Sequence, residues 1–125
     1  MSPRFVIHRH EATHLHWDLR LECGNILKSW AIPKEPPLVS GVKRLAVSVE
    51  DHDLSFLDFE GEIPPGEYGA GSISIWDRGT YDLLYEYENR LKVRFAGKRL
   101  SGEYVLTLLS GKNWLFFKVK RKRQE

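Results

Sequence analysis

Apolar and polar positions alternate with a period of two along most of the chain. In segment 14–22 (HLHWDLRLE), Leu15, Trp17, Leu19 and Leu21 fall on one side and His14, His16, Asp18, Arg20 and Glu22 on the other. That is the pattern of a pleated strand with one face on a core. Segment 44–50 groups Leu45, Val47 and Val49 in the same way. Segments 4–10, 26–32, 72–76, 80–87, 90–96, 100–109 and 114–120 read as further strands, with Pro33 stopping 26–32. Asp77-Arg78-Gly79 is expected to turn the chain between 72–76 and 80–87, and Gly97 and Ser110-Gly111-Lys112-Asn113 mark later breaks. No long stretch carries a helical stripe. Eight or nine short strands with Gly and Pro turns predict an all-β fold, a small antiparallel β-barrel of about eight strands with little helix. Closure is favoured because it leaves no long exposed edge. Lys34-Glu35-Pro36-Pro37 reads as a rigid crossover, and the 63–71 loop, with two Pro and three Gly, as a shaped structural corner.

At 125 residues the chain is expected to form a single domain over 1–120, followed by a basic tail at 121–125. A lone Cys23 excludes an internal disulfide framework and suits a reducing compartment. No apolar run approaches a membrane span, and the opening MSPRFVIHRH has no secretory core, so a soluble, cytoplasmic monomer is expected. The net charge of +2 hides a segregation. Between Leu45 and Asp77 there are eight acidic residues and no Lys or Arg, whereas Lys112 to Glu125 holds six basic residues and one acidic one. A polyanion is therefore expected to touch one face only, and the basic end of the chain is either a phosphate contact or a solvated tail.

Four of the five histidines lie at positions 8, 10, 14 and 16. Two imidazoles followed by a carboxylate and a guanidinium on one strand face are more specific than an ordinary solvated face. His16 and Asp18, two residues apart, can lean together around an ion, and a neighbouring strand would bring His8 or His10 alongside. Two His and one carboxylate leave coordination positions open for water and substrate, the layout of a working metal rather than a sealed structural one. The bland reading is a patch of surface histidines. Arg20 suits an oxyanion beside such an ion or, equally, a salt bridge. His52, set among Glu50, Asp51 and Asp53, is either a surface residue or an acid–base and phosphate group. Trp17, Trp30, Trp76 and Trp114 read as core and rim aromatics. No phosphate-binding P-loop, GxSxG or CxxC motif is present.

The run Phe5-Val6-Ile7…His10-x-Ala12-x-x-Leu15-His16-x-Asp18-Leu19-Arg20-Leu21-Glu22 resembles the 3′-phosphoesterase module of bacterial and archaeal DNA ligase D systems. The resemblance continues through Lys28-Ser29-Trp30-Ala31, Pro33-Lys34, Lys43-Arg44-Leu45-Ala46-Val47 and Val49-Glu50-Asp51-His52. It runs on through Phe59-Glu60-Gly61, Ile63-Pro64-x-Gly66-Glu67-Tyr68-Gly69-Ala70-Gly71 and Trp76-Asp77-Arg78-Gly79, and closes with Leu100-Ser101-Gly102 and Asn113-Trp114-Leu115. It implies a manganese-dependent enzyme on a small antiparallel barrel, with Co²⁺ or Zn²⁺ as other candidate ions. The implied reactions remove a DNA 3′-phosphate and a 3′-terminal ribonucleoside, leaving a 3′-OH for end joining. His10, His16 and Asp18 match the family's metal ligands. Arg20 and His52 match the residues that engage the scissile phosphate, and Lys34 and Arg44 match basic positions of the same pocket. Implied partners are DNA or RNA/DNA 3′ ends of a primer-template, with a ligase, polymerase or Ku acting in trans.

Two departures are visible. Phe56 stands where the family pattern has Tyr, four residues after His52, which removes a hydroxyl. The sequence opens four residues before Phe5, short of the acidic and basic N-terminal arm that family members often carry. The ribonucleoside step is the one expected to suffer. The competing class is a non-catalytic nucleic-acid-binding β-barrel. A cupin-like oxygenase fails because no His follows position 52.

Overall fold

A computed structural model describes residues 2–121. Residues 122–125 of the expected basic tail lie outside the described residues. Nine strands form one antiparallel sheet: β1 (Arg4–Glu11), β2 (Leu15–Cys23), β3 (Ile26–Ile32), β4 (Lys43–Asp53), β5 (Gly61–Ile63), β6 (Gly71–Tyr87), β7 (Arg90–Gly97), β8 (Ser101–Ser110) and β9 (Asn113–Lys118). The spatial order is β1-β2-β3-β4-β9-β8-β7-β6-β5, and β1 also pairs with β6. That last pairing closes an eight-stranded barrel and leaves the three-residue β5 as an outside addition to β6. A single short 3₁₀ turn, η1 (Leu54–Asp58), is the helical content among the described residues.

In a closed barrel, alternate residues face in and out. The interior holds Phe5, Ile7, Trp17, Leu19, Leu21, Trp30, Ile32, Trp76, Tyr81, Phe95, Tyr104 and Phe116, and Trp114 packs against them from the rim. The tryptophans are thus core and rim groups, as expected from their spacing. The opposite parity of β1 to β3 is also largely buried, because η1 and the chain after it lie over it. Val6, Leu27 and Leu57 form a second apolar cluster there, with Leu54, Phe56 and Ile75 packed against it.

The expected turn at Asp77-Arg78-Gly79 does not form. β6 runs unbroken for 17 residues, pairing with β1 over Ser72–Thr80 and with β7 over Gly79–Tyr87. The register against β1 shifts between Ile7 and His8, so Trp76 is an inserted residue, and Trp76 and Asp77 are consecutive and both buried. The Asp77 carboxylate accepts the backbone N–H groups of Arg78, Lys98, Arg99 and Leu100 at 2.8–3.1 Å. The Asp-x-Gly signal thus marks a bulge and an anchor for the β7–β8 turn, not a chain reversal.

Candidate metal centre

β1 and β2 pair with His10 opposite His16 and His8 opposite Asp18. The register alone therefore gathers the polar face of β2 against the outward face of β1. His10 Nδ1, His16 Nε2 and Asp18 Oδ2 lie 3.1, 3.4 and 3.3 Å from one another. A point equidistant from these three atoms is about 1.9 Å from each, close to the ~2.0–2.2 Å at which imidazole nitrogen and carboxylate oxygen bind a first-row divalent ion. Among the described residues this is the group of His, Cys, Asp and Glu side chains arranged to hold a metal.

The tautomers point the same way. His10 Nε2 is 3.1 Å from the Ala70 carbonyl, and His16 Nδ1 is 2.9 Å from the His14 carbonyl. Only an N–H can donate to those carbonyls, so in the neutral rings both lone pairs point toward Asp18 and toward each other. Two lone pairs and a carboxylate converging on one point call for a cation or an added proton. The hydrogen bond to Asp18 accordingly raises the His16 pKa above its ordinary value, against the opposing effect of burial. Burial acts to raise Asp18, but the hydrogen bonds it accepts when His10 or His16 carries the added proton, and the charge of Arg20, outweigh it and hold the carboxyl well below the usual range. The donor set fits a divalent metal, and the carbonyls of Ala70 and His14 are the outer partners that orient metal-ligating histidines.

Arg20 lies beside the triad and is only 3% exposed. Its Nη2 is 3.5 Å from Asp18 Oδ2, Nη1 donates to Ser29 Oγ at 2.9 Å, and Nε donates to His8 Nδ1 at 3.3 Å. These contacts engage three of the roughly five N–H donors of a guanidinium and leave the rest for an anion. The Phe56 ring packs 5.3 Å from the guanidinium. His8 in turn donates Nε2–H to the Phe59 carbonyl at 3.0 Å. Burial and the neighbouring Arg20 push the His8 pKa down to about 4, so its ring is neutral. The sequence offers His8 only as an alternative ligand and gives Ser29 no separate role; in the structure both position Arg20. Their signal was parity, since His8 faces Asp18 across β1–β2 and Ser29 faces Arg20 across β2–β3.

His52 joins the site from β4 by pairing with Leu27. Its Nδ1–H donates to the Glu50 carbonyl at 3.0 Å, which leaves Nε2 as the free nitrogen. Burial, then the charge of Arg20, lowers its pKa. Its ring lies 5.0 Å from Phe56 and 6.4 Å from the exposed Tyr68. The 63–71 loop does more than turn a corner, since it supplies Ala70 to His10 and Tyr68 beside His52. Lys34 is exposed on the crossover after β3, and Arg44 donates Nε–H to the Glu35 carbonyl at 2.8 Å; neither forms a hydrogen bond or ion pair with the triad, Arg20 or His52.

Residues 8–108 match the family described as the DNA Ligase D 3′-phosphoesterase domain. The chain is 48% identical to the multifunctional non-homologous end joining protein LigD of Pseudomonas aeruginosa, over 98% of its own length and 15% of that protein's. It is 43% identical to the corresponding DNA repair protein of Mycobacterium tuberculosis, over 97% of its length and 16% of that protein's. The figure for Mycolicibacterium smegmatis is 42%, over 95% and 17%. The chain thus spans about a sixth of the relatives it matches. The matched region contains the triad, Arg20, Ser29 and His52, and the chain belongs to the DNA ligase D 3′-phosphoesterase domain family.

Proposed function

We propose that this phosphoesterase-family chain heals DNA 3′ ends in a metal-dependent reaction, hydrolysing a terminal 3′-phosphate and, more weakly, removing a 3′-terminal ribonucleoside. The convergence of His10, His16 and Asp18 lone pairs on one point carries the reading. Mn²⁺, or Co²⁺ or Zn²⁺ in its place, is the ion proposed for these three residues; bound there, it supplies Lewis-acid polarisation of a phosphate oxygen. The triad bears one negative charge and Arg20 one positive charge, so a divalent ion turns the pocket net positive and suits it to a phosphate dianion. Arg20, already fixed by Asp18, Ser29 and His8, meets the growing oxyanion charge without reorganising. His52 presents Nε2 on the same wall. Neutral in the free pocket, it gains a proton preference from an approaching dianion and then donates Nε2–H to a phosphate oxygen or to the leaving 3′-oxygen. Phe56 provides no hydroxyl, and its ring shields the guanidinium from water.

Lys34 and Arg44 remain proposed as further basic contacts to the bound end. The proposed setting is end joining, with a ligase, polymerase or Ku in trans. The test is a labelled primer-template ending in a 3′-phosphate or in a single 3′-ribonucleotide, incubated with Mn²⁺, with chelator, and with Asp18→Ala. Metal-dependent loss of the phosphate, abolished in the variant, is expected. DNA binding without turnover on either end would instead favour a binding barrel.

A further inference from the structure

We infer that the groove along the β1–β6 seam is a second nucleic-acid site, which holds the phosphodiester backbone of the strand whose 3′ end occupies the metal centre. The inference rests on the reading of that centre given above. The groove has a volume of about 740 Å³ and is lined by the cations Arg4, Arg78, Lys98 and Arg99, together with Trp76 and Thr80. It opens on the same outer wall as the triad, on the other side of the 54–60 segment. Phe59 turns its carbonyl to His8 at the metal centre, whereas Asp58 and Glu60 turn toward the groove side.

Glu60 and Asp77 of this groove and Asp58 beside it keep their charges but are each held by donors, and the four cations Arg4, Arg78, Lys98 and Arg99 exceed these three acids by one. Asp58 lies 2.7 Å from Arg4 and 3.6 Å from Arg78. Glu60 accepts the Ile75 N–H at 2.8 Å. Asp77 is consumed by its four backbone donors. Lys98 and Arg99, by contrast, form no ion pair among the described residues. The Arg99 guanidinium stacks 4.7 Å from the Trp76 ring centroid, which fixes its plane and leaves its N–H edge for a bidentate phosphate contact. The turn that presents both cations is tied down by the hydrogen bonds from Lys98, Arg99 and Leu100 to Asp77, so little order remains to be imposed on binding.

Position supports the backbone as occupant. On β6, Ile73 stands opposite His10, and the groove is lined from Ile75 to Thr80. At ~3.3 Å per residue those positions lie about 7 to 20 Å from the level of the metal ligands. For a strand stacked as in duplex DNA, with ~3.4 Å of rise per nucleotide, the groove meets phosphates roughly two to six steps upstream of the end. The strand then leaves the pocket away from Glu62 and Glu67, which are exposed on β5 and the 63–71 loop.

The test is a length series of 3′-phosphorylated single strands, from dinucleotide to 12-mer, assayed on the full chain with Mn²⁺. For the wild type, kcat/KM is expected to rise roughly tenfold along the series and then level off. In K98A/R99A, and more severely in K98E/R99E, that gain should shrink to less than about twofold, and the slope of log affinity against log salt should fall by ~0.7 per charge removed. Anisotropy of a labelled 12-mer reads the groove even if no substrate turns over, so failure of the chemistry and failure of the groove are separable. Thermal unfolding confirms that both variants fold; Arg99→Lys serves as the conservative control. An unchanged length dependence and salt slope in both double variants would overturn the inference.

Discussion

Arg20 shows how a single buried charge is made useful. Leaving a guanidinium under a phenylalanine ring costs several kcal/mol unless its donors are met. Asp18, Ser29 and His8 meet them, and His8 can do so only as a neutral ring, because its Nδ1 must accept. The consequence is a pH dependence of stability. The unfolded His8 takes up a proton below about 6.5, whereas the folded one, pushed down to about 4, does not. The native state therefore loses stability as pH falls through that window, by about 1.4 kcal/mol per unit and about 3 kcal/mol in all. In chelator, denaturant midpoints measured from pH 7 to 4 are expected to show this component in the wild type and not in His8→Gln, whose amide can accept from Arg20 and donate to Phe59 without titrating. Parallel losses in the two proteins would contradict the assignment. Much of this scale was legible beforehand. The alternation of 14–22 brought His16, Asp18 and Arg20 together, and a paired β1 offered His8 or His10. The resemblance chose His10, and the lone-pair directions supply a physical reason that spacing could not give. The contacts of Ser29 and Ala70 were not legible, because each depends on which segment comes to lie beside it.

At the scale of elements, the strand pattern read correctly wherever one face was apolar and the other polar. It misread β6 because a bulge and a turn use the same residues. Asp77 can satisfy turn N–H groups from within a strand, and Gly79 can mark close approach rather than reversal. The structure shows that approach directly, since a Cβ on Gly79 would lie 2.1 Å from the Ala96 carbonyl oxygen. Its partner across the ladder is equally crowded. A Cβ on Gly97 would meet Asp77 Oδ2 at 2.4 Å and Phe5 at 2.7 Å. Gly97→Ala is therefore expected to destabilise the barrel by about 1–3 kcal/mol through overpacking, seen as a lower urea midpoint at an unchanged slope. The turn η1 is not legible in the sequence because its apolar residues, Leu54, Phe56 and Leu57, span too few positions to show a period. It nevertheless converts a strand face that alternation would leave in solvent into a half-buried polar site.

The whole molecule is a closed wall with its hydrophobic filling inside and its candidate chemistry outside. No described helix is long and apolar enough to cross a membrane. Barrel closure was legible from strand number and the need to hide edges, but the placement of the site on the outer wall was not, since alternation says only that two faces differ. The charge pattern along the chain does not map simply onto faces: Glu60 and Asp77 of the acidic stretch line the groove at the β1–β6 seam, Glu62 and Glu67 are exposed on β5 and the 63–71 loop, and the groove's cations come from Arg4, Arg78, Lys98 and Arg99 rather than from the residues after Lys112. Metal-dependent chemistry on this wall requires that His10, His16 and Asp18 form one metal site. Titration of the metal-free chain with Mn²⁺, followed by the loss of the free-ion resonance signal, tests it most directly. One ion per chain is expected for the wild type. In Asp18→Asn the affinity should fall by more than the roughly 10–100-fold that loss of a supporting residue costs, with the cooperative unfolding of the barrel retained. An Asp18→Asn chain that binds the ion with undiminished affinity and stoichiometry would contradict it.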